Sequence, residues 1–306
     1  MRDRFIKTLC SLAENDPRIM LITGDLGFAV LDEYRRRFPL QFINAGVAEQ
    51  NMTLVATGMA LEGHIVFTYS IGNFPTLRCL EMIRNDAAYH GANVKVVSIG
   101  GGFSYGPLGI SHHATEDLAI MRSLPDVTCV SPTGLQEVEE ATRAIASHPG
   151  TCFLRLDKDP GVDGPTRSEF LLGRPRVVRQ GRDVAFIVTG GILSEVVKAA
   201  GELERQGVSS SIYAVHTLKP FDPTEIIAAS KTHGAVVTVE EHTVHGGLAG
   251  LILESLADAQ ALPGKFLRIG LESCFSSVVG SQGFLRTAYR MDAAAIAART
   301  TKLLGS

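Results

Sequence analysis

Two apolar patterns alternate along the chain. Runs rich in aliphatic, aromatic and β-branched residues, interrupted only by single polar residues such as Gln41, Lys95 and Arg155, occur at 19–22, 40–43, 65–69, 94–99, 126–130 and 152–156. Their length and character predict strands buried on both faces of a parallel sheet. Between them, apolar residues recur three and four positions apart. Examples are Phe5, Ile6, Leu9 and Leu12 within 5–14, and Ala48, Met52, Val55, Ala56 and Met59 within 47–61. This spacing predicts helices with one buried face, as do 30–37, 76–90 and 134–147. The alternation restarts after residue 183, with strands at 184–188, 211–215, 235–239 and 266–269. Helices are predicted up to about 206, at 222–232 and 248–260, and after Asp292. The whole pattern predicts an α/β fold: two mainly parallel sheets flanked by helices.

One stretch interrupts it. Asp157-Lys158-Asp159-Pro160-Gly161, Asp163-Gly164-Pro165 and Arg174-Pro175-Arg176 are turn-rich and charged. They divide the chain into a first domain, 1–160, a linker, 161–182, and a second domain, 183–306.

Composition narrows the class. The 306 residues suffice for two full cores, and 45 % apolar with 20 % charged residues is ordinary for a soluble protein. A net charge of -3, with Arg35-Arg36-Arg37 as the longest basic run, argues against a nucleic-acid binder. No apolar run reaches the roughly 18 residues of a membrane span. A helix is expected from the first residues onward, so no secretory leader is expected. The cysteines, Cys10, Cys79, Cys129, Cys152 and Cys274, have no CxxC spacing and mostly apolar neighbours. They read as reduced thiols of a cytoplasmic protein.

The candidate chemistry lies where predicted strands end, the usual position of ligand sites in open α/β sheets. Asn44-Ala45-Gly46-Val47-Ala48-Glu49-Gln50-Asn51-Met52 places an acid in the first turn of an apolar helix. The helix dipole alone favours a carboxylate there, so Glu49 is either a helix-start acid or a chemical group. Gly100-Gly101-Gly102 does not extend into a GxGxxG fingerprint, because Tyr105 stands where the last glycine should fall. It predicts a loop whose backbone approaches something closely or turns sharply. In Ser111-His112-His113-Ala114-Thr115-Glu116-Asp117 the adjacent histidines should point in different directions, and no metal site is expected.

Four segments together resemble the transketolase family: Gly24-Asp25-Leu26, Gly46 to Met52, Ser111 to Leu118, and Val239-Glu240-Glu241-His242 with Gly246-Gly247-Leu248. The resemblance covers nearly the whole chain but only the carboxyl-terminal half of a full-length transketolase. It implies a thiamine-diphosphate-binding pyrimidine domain followed by a transketolase carboxyl-terminal domain. The family's GDG…N motif for magnesium and diphosphate is absent, since Leu26 follows Gly24-Asp25. The chain therefore resembles one subunit of a split transketolase.

The resemblance implies thiamine diphosphate as cofactor, with Mg2+ held mainly by the partner. Glu49 matches the acid that hydrogen-bonds the cofactor's aminopyrimidine, and should sit in a largely dry site. Asp25 matches an aspartate near the cofactor at the boundary between subunits, or is a turn former. His112 matches a catalytic histidine that contacts sugar hydroxyls, or caps a turn. Arg155 and Arg2 match arginines that bind the sugar phosphate, although a surface salt bridge would equally account for Arg155. Phe74 is the candidate for stacking on the pyrimidine, or a core residue.

Three positions depart from the family pattern. Leu108 replaces an acid, a glycine of 100–102 replaces a phosphate-binding histidine, and Gly72 replaces an aromatic. These departures imply a specialised sugar, unphosphorylated or modified.

The implied activity is transfer of a two-carbon ketol unit from a ketose to an aldose. The alternatives are the β subunit of a 2-oxo acid dehydrogenase first component, a 1-deoxyxylulose-5-phosphate-synthase-like enzyme, or a non-catalytic assembly partner. The implied partner is an amino-terminal, diphosphate-binding subunit in an α2β2 heterotetramer. The helix at 47–61 and the turns at Glu240-Glu241-His242 and His245-Gly246-Gly247 would face that interface, unless those turns are plain helix starts.

Overall fold

The structure, a computed structural model, describes residues 1–163 and 169–305; Gly164 and Pro165 of the expected linker lie outside them. The first half contains α1 (Arg2–Ala13), β1 (Ile19–Thr23), α2 (Asp32–Arg37), β2 (Phe42–Asn44), α3 (Glu49–Leu61), β3 (Ile65–Ile71), α4 (Leu80–Met82), β4 (Val94–Ile99), α5 (Asp117–Ser123), β5 (Val127–Val130), α6 (Leu135–Ser147) and β6 (Thr151–Leu156). The second contains β7 (Arg176–Arg179), β8 (Val184–Thr189), α7 (Leu193–Arg205), β9 (Ser210–Ala214), β10 (Thr217–Lys219), α8 (Thr224–Thr232), β11 (Ala235–Thr243), α9 (Leu248–Asp258), β12 (Phe266–Leu271), α10 (Gln282–Ala288) and α11 (Ala293–Gly305).

Seven strands form one sheet in the order β10-β5-β6-β4-β3-β1-β2, and five form another in the order β12-β11-β8-β9-β7. Both are parallel except at an edge, where β10 pairs antiparallel with β5 and β7 with β9. Strands β1, β3, β4, β5 and β6 are buried on both faces, as their apolar character requires, whereas β2 is an edge strand only half-buried, and Leu40 of the expected 40–43 strand is exposed. On one face of the first sheet α1 and α6 pack through Phe5, Leu9, Val138, Ala141 and Ile145. On the other, α3 contributes Met52, Ala56 and Ala60. The second sheet is covered by α7 and α11 on one face and by α8 and α9 on the other.

Several local expectations changed. The helix expected at 76–90 is a 3-10 turn (Leu77–Cys79), then α4, then a π-helical segment (Ile83–Ala88). In α3, Val55 faces outward with Leu54 and Leu61, while Thr53 and Thr57 take the inner positions. Each of those threonines returns its hydroxyl to the carbonyl four residues earlier, which lets them be buried. Strands β7 and β10 have no apolar signature of their own. They exist because a neighbouring strand edge needs partners.

A buried set of charges joins the two halves. Arg155 donates through Nε to Asp117 Oδ2 (3.0 Å), and through Nη2 to the carbonyls of Ala114 (3.0 Å) and Glu241 (2.9 Å). Glu241 also accepts from Phe103 N (2.6 Å), Gln282 Nε2 (2.9 Å) and Arg286 Nε. Arg286 reaches Asp159 Oδ2 at 2.9 Å, and Asp157 Oδ2 accepts from Gly191 N. Glu240, Glu241 and His242 are thus buried within the chain and do not form a face toward another subunit. Glu240 caps α9, accepting from Leu248 N (2.7 Å) and Ala249 N (2.9 Å).

Four carboxyl groups here surround two guanidinium groups. Burial, partly offset by Arg155 and reinforced by Glu241, pushes the Asp157 carboxyl up to about 6 from 3.8. Between those values the folded chain binds more protons than the unfolded one, so this group lowers stability as pH rises from 4 to 6. The shift corresponds to about 3 kcal/mol. Buried His216, pushed down to about 3 by burial and Arg176, acts oppositely: its contribution is lost as pH falls below 6.5. Comparing wild type with Asp157→Asn isolates the carboxyl. In urea denaturation, the wild type should lose up to about 3 kcal/mol relative to the variant between pH 4 and pH 7. Parallel pH profiles would contradict this origin.

Candidate active site

The carboxyl ends of β1, β2 and β3 converge on the predicted acid. Asn44, which ends β2, accepts from Asp25 N and Gly46 N (both 3.0 Å) and donates to Asp25 Oδ1 (2.9 Å). One side chain therefore holds Asp25, at φ +55°, and sets the turn into α3. Glu49 is the first residue of that helix and is only 6 % exposed. Gly24 lies beside it; a Cβ there would stand 3.4 Å from Glu49 Cγ. Among the described residues, none donates a hydrogen bond to the Glu49 carboxylate. Burying a polar group without a partner is costly, so such a group points to a partner outside the chain.

Phe74 and His112 form an adjoining pair. Their rings meet edge-on at 5.2 Å and 79°. Cys79, whose thiol donates to Phe74 O, is close enough to Glu49 that the carboxylate adds to the upward push of burial on the thiol. The His112 Nδ1 atom lies 3.0 Å from Ser111 Oγ. Burial and the neighbouring His113 hold the His112 imidazole below its usual value, so it is neutral near pH 7. His113 turns away into the interior, bonding Gly106 O at 3.1 Å and packing on Phe103. The two histidines do diverge, as their adjacency implied.

The arginines separate. Arg2 lines an open cleft of about 640 Å³ with Arg4, Lys7, Tyr105 and Lys158. Arg155 is 1 % exposed and committed to Asp117 and two carbonyls. It is therefore not a surface salt bridge, and among the described residues its Nη1 atom has no hydrogen-bond partner. Gly101 is the reason it can lie so deep: a Cβ there would come within 2.4 Å of Arg155 Nε and 2.6 Å of Asp157 Oδ1. Asn44, Tyr105 and Lys158 carried no assigned role in the sequence, because their significance depends on which strand ends are neighbours. Leu108 is exposed at the rim.

The comparisons agree with this geometry. Residues 1–160 match the transketolase pyrimidine-binding domain, and 173–296 the transketolase carboxyl-terminal domain. The chain belongs to the transketolase family. It is 34 % identical to a 6-deoxy-6-sulfo-D-fructose transketolase subunit of Clostridium sp., covering 96 % of this chain and 91 % of that one. An apulose-4-phosphate transketolase subunit from Phocaeicola vulgatus is 30 % identical, over 84 % and 83 % of the two chains. Among solved structures, a split-gene transketolase described as an inactive β4 tetramer superposes with a TM-score of 0.89 at 30 % identity. That match covers 99 % of this chain and 98 % of the other. The chain thus carries the pyrimidine-binding and carboxyl-terminal domains of the family and is similar to relatives of the split type, which do not favour the dehydrogenase or synthase alternatives.

The Gly101 contact is directly testable. Gly101→Ala should lower stability by about 1–3 kcal/mol or more, since the overlap is with packed, charged groups. Gly201→Ala, inside α7 with open space around it, should be neutral or stabilising by up to about 1 kcal/mol. Chemical denaturation of both variants checks the contrast, and equal effects would refute it.

Proposed function

We propose that this subunit supplies the pyrimidine side of a thiamine-diphosphate site. In that reading it works with an amino-terminal partner to move a two-carbon ketol unit from a ketose to an aldose. The buried Glu49 carboxylate, unmet by any donor among the described residues, carries the reading. Thiamine diphosphate, when bound, supplies the carbon nucleophile that holds the two-carbon unit. The residues present fit its pyrimidine. Glu49 would hydrogen-bond the ring nitrogen through its buried carboxyl group. Phe74 would pack beside the ring, and the Asn44–Asp25 bracket ties the adjoining strand ends together. Neutral His112, oriented through Nδ1 by Ser111, has Nε2 left to donate to or accept from a sugar hydroxyl.

The diphosphate side is different. Among the described residues no cluster of carboxylates, histidines or cysteines has the arrangement of a metal site. Mg2+ and the diphosphate therefore belong to the partner in this proposal. The outward face of α3 supports an assembly of two copies of each subunit: Val47 is 81 % exposed, and Leu54, Val55 and Leu61 follow it. Among the described residues no helix is long and apolar enough to cross a membrane. Four buried free cysteines suit a reducing cytoplasm. The two-domain division at 1–160 and 183–306 is retained as the working description.

Two measurements test this. In the reconstituted complex Glu49→Gln should lower turnover by about 10²–10⁴-fold, with an unchanged circular dichroism spectrum. A variant with near-normal activity would sink the assignment. The subunit alone should show no ketol transfer and gain it when the partner is added; full activity of the isolated chain would contradict the shared site.

A further inference from the structure

The departure from the family pattern at Gly72 has a physical reason in the loop that carries His112. A Cβ at Gly72 would stand 3.2 Å from the His112 carbonyl oxygen, on a backbone at φ +49°. The two loops touch main chain to main chain here, and a larger residue would push them apart.

Asn73 closes the contact. Its Nδ2 donates to the His113 carbonyl at 2.8 Å, between residues 40 positions apart. Its Oδ1 is buried and has no hydrogen-bond partner among the described residues. Among those residues, this is also the one side-chain hydrogen bond that joins segment 71–76 to segment 111–114.

Each segment is anchored on its own side. Gly72 N donates to Ile99 O (2.8 Å) and Ser98 Oγ donates to Gly72 O (2.9 Å), which fastens the first segment to β4. Gly102 and Ala114 exchange two backbone hydrogen bonds, at 2.8 and 3.0 Å, and His113 packs edge-on against Phe103 at 5.1 Å. Phe74 follows Asn73 and His112 precedes His113, so the two half-buried rings flank the ends of the bridging bond. Their edge-on meeting at 5.2 Å lies beside that bond.

We propose that Asn73 is a positioning residue of the active site: its hydrogen bond to the His113 carbonyl fixes the His112 imidazole relative to Phe74. The group that meets the sugar is thereby set against the group that meets the pyrimidine. Reaction rates are steep in such distances, since a misplacement of about 1 Å can cost about 10²-fold. The kinetic consequence rests on the ketol-transfer reading, but the geometry is a property of this chain and can be read without turnover.

Two variants without the donor test this. Asn73→Asp sets a carboxylate oxygen against the His113 carbonyl, and Asn73→Ala removes the amide without adding charge. In the isolated full chain, the ring C–H signals of His112 are assigned with His112→Ala, and Phe74→Leu reveals how the Phe74 ring displaces them. Both Asn73 variants should move these signals in the direction that Phe74→Leu does. Unmoved His112 signals in both would overturn the proposal. In the reconstituted complex, each Asn73 variant should lower kcat/KM at least about tenfold when His112 is present. In a His112→Ala background the same change should cost less than about twofold, because the two residues act as one unit. Equal losses in both backgrounds would mean that Asn73 supports only the fold, and would also overturn the proposal. Moved His112 signals in a chain whose wild-type complex transfers no ketol unit would support the positioning and refute the ketol-transfer reading.

Discussion

Everything near the site depends on where the Arg155 guanidinium lies. It stands at the end of β6, under the Gly101 backbone, and ties Asp117 at the start of α5 to the Glu241 carbonyl of β11. A buried ion pair is weak evidence for net stability, because desolvation offsets much of the attraction. Removing one partner is another matter, since the other charge is left in the interior. The pair therefore specifies one arrangement. Residues 100–117 can close over β4 and β6 in one way only, and Tyr105 and His112 are delivered where they are found.

The same constraint runs across to the second half. Glu241 accepts a hydrogen bond from Phe103 N and an ion pair from Arg286, and Arg286 continues to Asp159. The stretch that looks like a simple connector, Asp157-Lys158-Asp159, is held at both aspartates, and this makes Lys158 a fixed feature of the cleft wall. The costly member is Asp157, whose carboxyl is pushed up by burial that Arg155 only partly offsets. Its hydrogen bond from Gly191 N links the first sheet to the turn before α7.

Against this network, in which Asp117, Arg155 and Arg286 each leave one buried atom unpaired among the described residues but are otherwise engaged, Glu49 differs. Both carboxylates are buried, yet among the described residues Glu241 receives three donors while none reaches Glu49. Protein interiors satisfy polar groups wherever they can. A buried acid left without a donor, beside a glycine and at the end of a parallel strand, is a socket with one wall missing. That is what a chain built to complete its site with another subunit should present.

Periodicity along the chain was enough to determine the α/β class, the order of most elements and the helix that begins at Glu49. Hydrophobic spacing is a local property, and local sterics and burial set it. It also put Asp25 and Glu49 in the segments that follow β1 and β2, where the structure finds them, while Phe74 and His112 were singled out only by the family resemblance. It misjudged the faces of α3, because Thr53 and Thr57 can be buried once their hydroxyls bond back to the helix. It could not find β7 or β10, which have no signature apart from the edges they cover. Nor could it tell that Arg155 faces inward while Lys158 faces a ligand-sized cleft. Those outcomes depend on which side chains from distant segments meet in a low-dielectric interior. Tertiary packing alone decides whether a charge is neutralised there or left free to bind.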